Sequence, residues 1–175
     1  LGEEEGIIEK DEETVIHNLL KLREMNVMEI MTPRVVMKAF ALKSTIKEVL
    51  DEHKIIRVSR IPVYEDNIDD ISGIVIRSEL LMAASRDEWD VTMNEFRKDV
   101  MFLTTDTSVD QALEMFLEHR QQFAVVRDEF GGTAGLVTME DVLETLLGEE
   151  IVDELDEVDD MRKLARDQAE HQESE

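Results

Sequence analysis

Gln122-Phe123-Ala124-Val125-Val126, a glycine-containing turn, and then Thr133-Ala134-Gly135-Leu136-Val137-Thr138-Met139-Glu140-Asp141-Val142-Leu143 restate an earlier part of the chain in altered form. The earlier copy reads Arg60-Ile61-Pro62-Val63-Tyr64, a turn, and Ile71-Ser72-Gly73-Ile74-Val75-Ile76-Arg77-Ser78-Glu79-Leu80-Leu81. Gly73 falls on Gly135 and Pro62 on Ala124, both at an offset of 62. A repeat of this size is one supersecondary unit made twice, the two copies burying faces against each other. The cleft between such copies is a natural ligand site.

Outward from the repeat, Thr45-Ile46-Lys47-Glu48 has the form of a capping box and opens a helix to about His53. Ser108-Val109-Asp110-Gln111 is its counterpart, ahead of Leu113, Phe116 and Leu117. The offset here is 63, which places a one-residue difference in the connection that follows the helix. Val35 to Ala41 is compatible with a strand, so each copy reads strand, helix, strand, strand, helix, with closing helices over 78–85 and 139–148. Residues 86–98 read as a polar connector around Trp89. Val15, Ile16, Leu19, Leu20 and Leu22 recur at helical spacing within 11–25, and Pro33 disfavours helix at Thr32. Ile151, Val152, Leu155, Val158, Met161, Leu164 and Ala165 mark a terminal amphipathic helix over 150–168 that needs a partner surface. The expected organisation is 1–26 as a helical lead, 27–85 and 99–149 as the two copies, 86–98 between them, and 150–175 as a helix and acidic tail.

Composition narrows the function. The 175 residues suffice for one domain or two small ones sharing a core. Without cysteine there are no disulfides and no thiolate zinc sites, which fits a reducing compartment. No apolar run approaches the roughly 18 residues that span a bilayer, and the chain opens at Leu1 without a signal-peptide pattern. It reads as a soluble fragment of something longer. A net charge of −24 argues against nucleic acid, whose phosphates need a basic face. The charge is uneven: Arg34, Lys38, Lys43, Lys47, Lys54, Arg57 and Arg60 face only Glu48, Asp51 and Glu52 between positions 34 and 60. That basic segment is either a chance cluster on an exposed helix or a patch for a small anion.

Catalysis is poorly supplied. His17, His53, His119 and His171 are scattered, and no nucleophile elbow, P-loop or dinucleotide fingerprint occurs. Glu65-Asp66-Asn67-Ile68-Asp69-Asp70 lacks the central glycine and alternating ligands of a calcium loop and reads as a solvated turn. The pointed signal is Gly135 to Asp141, where a strand runs into a helix. A helix N-terminus favours phosphate, the Thr138 hydroxyl can donate to it, and the Asp141 carboxylate can accept from ribose hydroxyls. The same Thr-x-x-Asp spacing is also that of a helix cap, which the four residues alone favour; their position in a duplicated strand–helix unit is what brings the nucleotide reading forward.

Taken together, Val27-Met28-Glu29-Ile30-Met31-Thr32-Pro33-Arg34, Ser59 to Tyr64 and Glu129-Phe130-Gly131-Gly132 through Val142 resemble a tandem pair of CBS motifs. More narrowly, they resemble the cytosolic portion of the CorC/CNNM (hemolysin-C-like) membrane transporters of magnesium and cobalt. The resemblance runs from about Glu5-Gly6 to Gly148-Glu149. It implies an α+β fold of two pseudo-symmetric β-α-β-β-α motifs, and a regulatory rather than catalytic role. It also implies homodimerisation through the CBS module and a link to the protein's own transmembrane domain, on the cytoplasmic side of an inner or plasma membrane. The further C-terminal domain of many members is expected to be missing.

The family binds adenine nucleotide, typically ATP with Mg²⁺, and AMP or ADP are the alternatives. Carried over by position, Thr138 would contact phosphate and Asp141 the ribose. Thr32, Pro33, Arg60, Ile61 and Pro62 would complete the pocket, with Arg60 as a phosphate partner. Ile76 and Glu79 stand where Thr138 and Asp141 stand in the other copy, so one competent site per chain is expected. A dimerisation module with an empty pocket and a direct divalent-cation sensor are the rival readings.

Overall fold

Thr45 opens a helix as its context requires: its hydroxyl accepts the Glu48 N–H at 3.3 Å, and its own N–H donates to Glu48 Oε2 at 2.8 Å. Ser108 repeats the device by donating its N–H to Gln111 Oε1 at 3.2 Å. In the computed structural model, which describes residues 13 and 15–148, these caps mark the two copies of the repeat. The expected helix over 150–168 lies outside the described residues.

A leading helix, α1, runs over residues 15–24. A two-residue strand β1 (Thr32–Pro33) follows, and then the first copy: β2 (Phe40–Ala41), α2 (Ile46–Glu52), β3 (Arg60–Tyr64), β4 (Ile71–Ile76) and α3 (Arg77–Ala84). A short α4 (Met93–Phe96) leads into the second copy: β5 (Met101–Thr104), α5 (Val109–His119), β6 (Phe123–Arg127), β7 (Thr133–Thr138) and α6 (Met139–Leu147). The fold is α+β, with each copy in the expected order. In both copies the first strand lies parallel to the second, and the second and third form an antiparallel hairpin.

Equivalent side chains fill two separate cores. Ile46, Val49, Ile61, Val63, Val75 and Leu80 line the first. Val109, Ala112, Ala124, Val126, Val137 and Val142 line the second. The first four pairs lie at an offset of 63 and the last two at 62, so the one-residue difference falls in the hairpin turn (65–70 against 128–132). This corrects two expectations: the helix-to-strand connection keeps its length, and Pro62 corresponds to Val125 rather than Ala124. Turns absorb insertions because they are solvated, whereas a slip inside a strand would turn every side chain to the wrong face. A third cluster joins the copies, with Ile71 and Ile74 packed with Phe123 and Val125 and flanked by Tyr64, Phe102 and Leu136.

Two further expectations change. Residues 35–39 are not a strand: a tight 3-10 turn occupies Arg34–Val36, and only Phe40–Ala41 pair, with Val63 and Tyr64. A strand persists only where a neighbour takes up its backbone bonds. The 86–98 connector is not polar throughout. Met93 is fully buried in the first core, and the Met93 and Ile46 N–H groups reach the Ser44 and Val91 carbonyls at 2.9 Å.

Each copy is therefore completed by the segment preceding the other. β1 pairs with β7 of the second copy, while Lys98 exchanges backbone bonds with Ile74 of the first at 2.8 and 2.9 Å. Val27 enters the second core as Met93 enters the first.

Asp69, in the first hairpin turn, links the copies more lightly. It takes two 2.8 Å contacts from Arg34 and accepts the Thr133 N–H at 3.2 Å. Both charged side chains are over 40% exposed (43% and 42%), and exposed pairs contribute about 0–1 kcal/mol. Asp69→Ala is accordingly expected to lower the thermal midpoint by no more than about 4 °C in a circular-dichroism melt.

Candidate functional site

β7 ends where the chain turns into α6, and the turn is fixed by Thr138. Its φ of −115° and ψ of 162° put it outside the helix as the N-cap. The Asp141 N–H donates to Thr138 Oγ1 at 3.2 Å. The Thr138 N–H and hydroxyl both donate to Asp141 Oδ2, at 2.7 and 2.9 Å. The cap reading of Thr-x-x-Asp is thus realised. It also orients the site: the three bonds fall on Oγ1 and one carboxylate oxygen, and Oδ1 lies outside them.

Thr32 and Pro33 reach this junction through β1, opposite Leu136 and Gly135 on β7. The approach is close enough to require glycine, because a Cβ at Gly135 would stand 2.4 Å from the Thr32 carbonyl oxygen. Arg60 arrives from the other copy. Its Nη2 donates to Gln122 Oε1 at 2.8 Å, while the Gln122 carbonyl accepts the N–H of Met139, the first residue of α6, at 3.0 Å. A guanidinium is thereby held beside a helix N-terminus with a neutral amide as its hydrogen-bond partner, two positive features together in an acidic chain.

Alternation along β3 sorts the remaining residues. Tyr64 belongs to the joint between the copies, and Arg60 and Pro62 share its face. The Ile61 side chain lies on the opposite face, fully buried in the first core, so it turns away from Arg60 and Pro62. Thr32 and Pro33 thus reach the Thr138–Asp141 junction through β1 and Arg60 reaches it through Gln122, while Pro62 is buried on the same face of β3 as Arg60.

The equivalent junction in the first copy is built differently. Ile76 is the N-cap of α3 and supplies no side-chain bond to it. Lys98, which pairs with Ile74 as Thr32 pairs with Leu136, places its ammonium 2.9 Å from Glu79, the counterpart of Asp141. An ion pair spans the cleft where the second copy has a threonine and an aspartate. Sequence reading missed Lys98 and Gln122, since nothing in their local context marks them: one acts across a sheet joint and the other across the two copies. Arg34, counted in the basic segment, is engaged by Asp69 instead of the site. Among the described residues, no cluster of three or more His, Asp or Glu is placed to hold a metal ion, and no helix is long and apolar enough to cross a membrane.

Two β-α-β-β-α units, each completed by the other's leading segment and opening a capped helix at their joint, define a tandem CBS module. Residues 90–148 match the family model described as the CBS domain. The CBS domain of a bacterial CNNM/CorC family Mg²⁺ transporter in complex with ATP superposes with a TM-score of 0.73 at 38% identity, covering 79% of this chain and 98% of that one. The chain belongs to the CBS-domain family, in the branch of the CorC/CNNM transporters. It is 35% identical over 162 residues to the magnesium and cobalt efflux protein CorC of Escherichia coli, covering 91% of this chain and 55% of CorC. It is 37% identical over 149 residues to hemolysin C of Brachyspira hyodysenteriae, covering 85% of this chain and 54% of that protein. The chain thus spans about half the length of these curated relatives.

Proposed function

We propose that the chain is the adenine-nucleotide-binding regulatory module of a membrane Mg²⁺/Co²⁺ transporter, non-catalytic, with ATP as its effector. The observation that carries this reading is the junction at Thr138, where a capped helix N-terminus, the Asp141 carboxylate, β1 and Arg60 converge. The ATP-bound relative at 38% identity supports the choice of ligand. In this reading the helix N-terminus and Arg60 receive phosphate, Asp141 accepts from the ribose, and Thr32 and Pro33 form the near wall. Mg²⁺ would ride on the phosphate oxygens and water, its usual mode beside nucleotides, and would offset the repulsion between a polyphosphate and a −24 chain. The Lys98–Glu79 pair leaves the first-copy cleft without a free carboxylate for a second ribose.

Binding can act on a membrane domain only by favouring one arrangement of the module over another. A homodimer formed through the helices would give that arrangement a second copy to move against. Exposed Leu81 and Met82 on α3 and Leu117 on α5 supply apolar surface for it.

The test is calorimetric titration with ATP, ADP and AMP, with and without Mg²⁺. A dissociation constant in the micromolar range, on the order of −8 kcal/mol, is expected for ATP. Arg60→Ala should weaken ATP about tenfold, the loss of one charge-assisted bond, and leave adenosine nearly unchanged. No heat with any nucleotide would favour the ligand-free dimerisation module. A Mg²⁺ response without nucleotide that survives Thr138→Ile would favour direct cation sensing.

A further inference from the structure

The first copy lacks the last helical turn of the second. α2 has seven residues and stops at Glu52, whereas α5 has eleven and continues through His119 to a left-handed cap at Arg120 (φ 52°). At the offset of 63, Ile56 and Arg57 correspond to His119 and Arg120. The chain from His53 to Ser59 is instead irregular and carries the cations Lys54 and Arg57 straight into β3, whose first residue is Arg60.

The Arg77 side chain clasps the second half of this stretch. Arg77 Nη1 donates to the carbonyls of both Ile56 and Arg57, at 2.8 and 2.9 Å, and the Arg77 N–H donates to the Ser59 carbonyl at 2.9 Å. The counterpart of Arg77 is Met139. Its N–H makes the matching bond to Gln122, but its side chain packs apolarly against the second core. The backbone contact is therefore common to both copies, and the guanidinium clasp belongs to the first alone. Arg77 also opens α3 next to Ile76 and Glu79, at the junction that lacks the Thr-Asp pair.

We infer that Arg77 is a positioning residue for the nucleotide site of the opposite copy: it pins the 56–59 backbone so that Arg60 meets the phosphates at the α6 N-terminus. In this reading the junction of the first copy, expected to be empty or weak, aims the cation of the second. A guanidinium suits the task because its planar fork can serve successive carbonyls and is not deprotonated at physiological pH. The inference rests on the proposed nucleotide reading, and it makes Arg77 a determinant of preference for triphosphate over nucleoside.

The experiment compares wild type, Arg77→Met (the second copy's residue) and Arg77→Lys for ATP and adenosine affinity by calorimetry, with amide hydrogen exchange over residues 55–60. Arg77→Met should weaken ATP about tenfold, change adenosine less than about twofold, and speed exchange at the 56–60 amides. Arg77→Lys, which can still reach a carbonyl, should recover part of the ATP affinity. An equal loss for ATP and adenosine would mean a merely structural role and overturn the inference, as would unchanged ATP affinity or unchanged exchange in Arg77→Met. If wild type binds neither ligand, the nucleotide reading falls and the positioning role with it. Wild-type binding with an unaffected Arg77→Met variant overturns the positioning role alone.

Discussion

Thr138→Ile is expected to weaken ATP binding by more than about a hundredfold while leaving the protein folded. Isoleucine removes the hydroxyl that both accepts the Asp141 N–H and donates to Asp141 Oδ2, so the carboxylate loses one of the two donors that orient it. It also removes the proposed phosphate donor. The single hydroxyl proton serves Asp141 in the free protein and phosphate in the complex; losing that donation, together with the ribose bond that a misoriented Asp141 no longer accepts, at roughly 1.5–3 kcal/mol each, accounts for a loss of that size. The fold tolerates the change because Ile76 already holds the equivalent N-cap in the same extended region, at φ −103° and ψ 123°. Loss of the cap contributes about 0.5–2 kcal/mol of destabilisation, visible as a lower melting temperature. Thr138→Ser, which keeps the hydroxyl, should retain both cap and affinity. Calorimetry on the three proteins decides it: undiminished ATP affinity in Thr138→Ile would remove Thr138 from the site.

Gly135→Ala should have the next largest effect, acting on stability and binding together. The new Cβ would stand 2.4 Å from the Thr32 carbonyl oxygen and 2.8 Å from Met31 Sδ. The thioether can swing aside, but the carbonyl belongs to β1, which is only two residues long and pairs through Gly135 itself. β1 must lift, at a cost of about 1–3 kcal/mol, the usual range for overpacking. Thr32 and Pro33 lift with it, and ATP affinity should fall about tenfold, a second effect of ordinary hydrogen-bond size. Gly73→Ala is the matched control, since its Cβ would stand 2.5 Å from the Lys98 carbonyl oxygen in the joint that lacks the site. It should destabilise comparably and leave ATP affinity within about twofold. Equal loss of affinity in both variants would show that binding follows overall stability, not the placement of β1.

What was legible in the chain was what acts over three or four residues. The boxes at Thr45, Ser108 and Thr138 were readable because a cap bonds its own helix, and each formed where its spacing placed it. The strand–helix–strand–strand–helix order followed from the apolar runs. The substitutions of Ile76 for Thr138 and Glu79 for Asp141 were visible as letters. The shift between offsets 62 and 63 was detected but misplaced, because β-branched strands read much alike one residue out of register. Only the core partners of Ile61 and Val63 locate it in the hairpin turn.

Local spacing and residue identity carry the repeat, its asymmetry, the helix N-terminus at Thr138 and the family resemblance. Tertiary structure alone decided that β1 completes the second sheet and Lys98 the first, that Lys98 occupies Glu79, that Ile61 turns away from Pro62 while Arg60 crosses to Gln122, and that Arg77 holds the strand bearing Arg60. The reason is physical. A two-residue strand has too few bonds to specify its partner locally, and a charged side chain of four or five rotatable bonds pairs with whatever the packed sheets bring within reach. Those choices are fixed when the two cores close around Val27 and Met93, each placed in the core of the other copy.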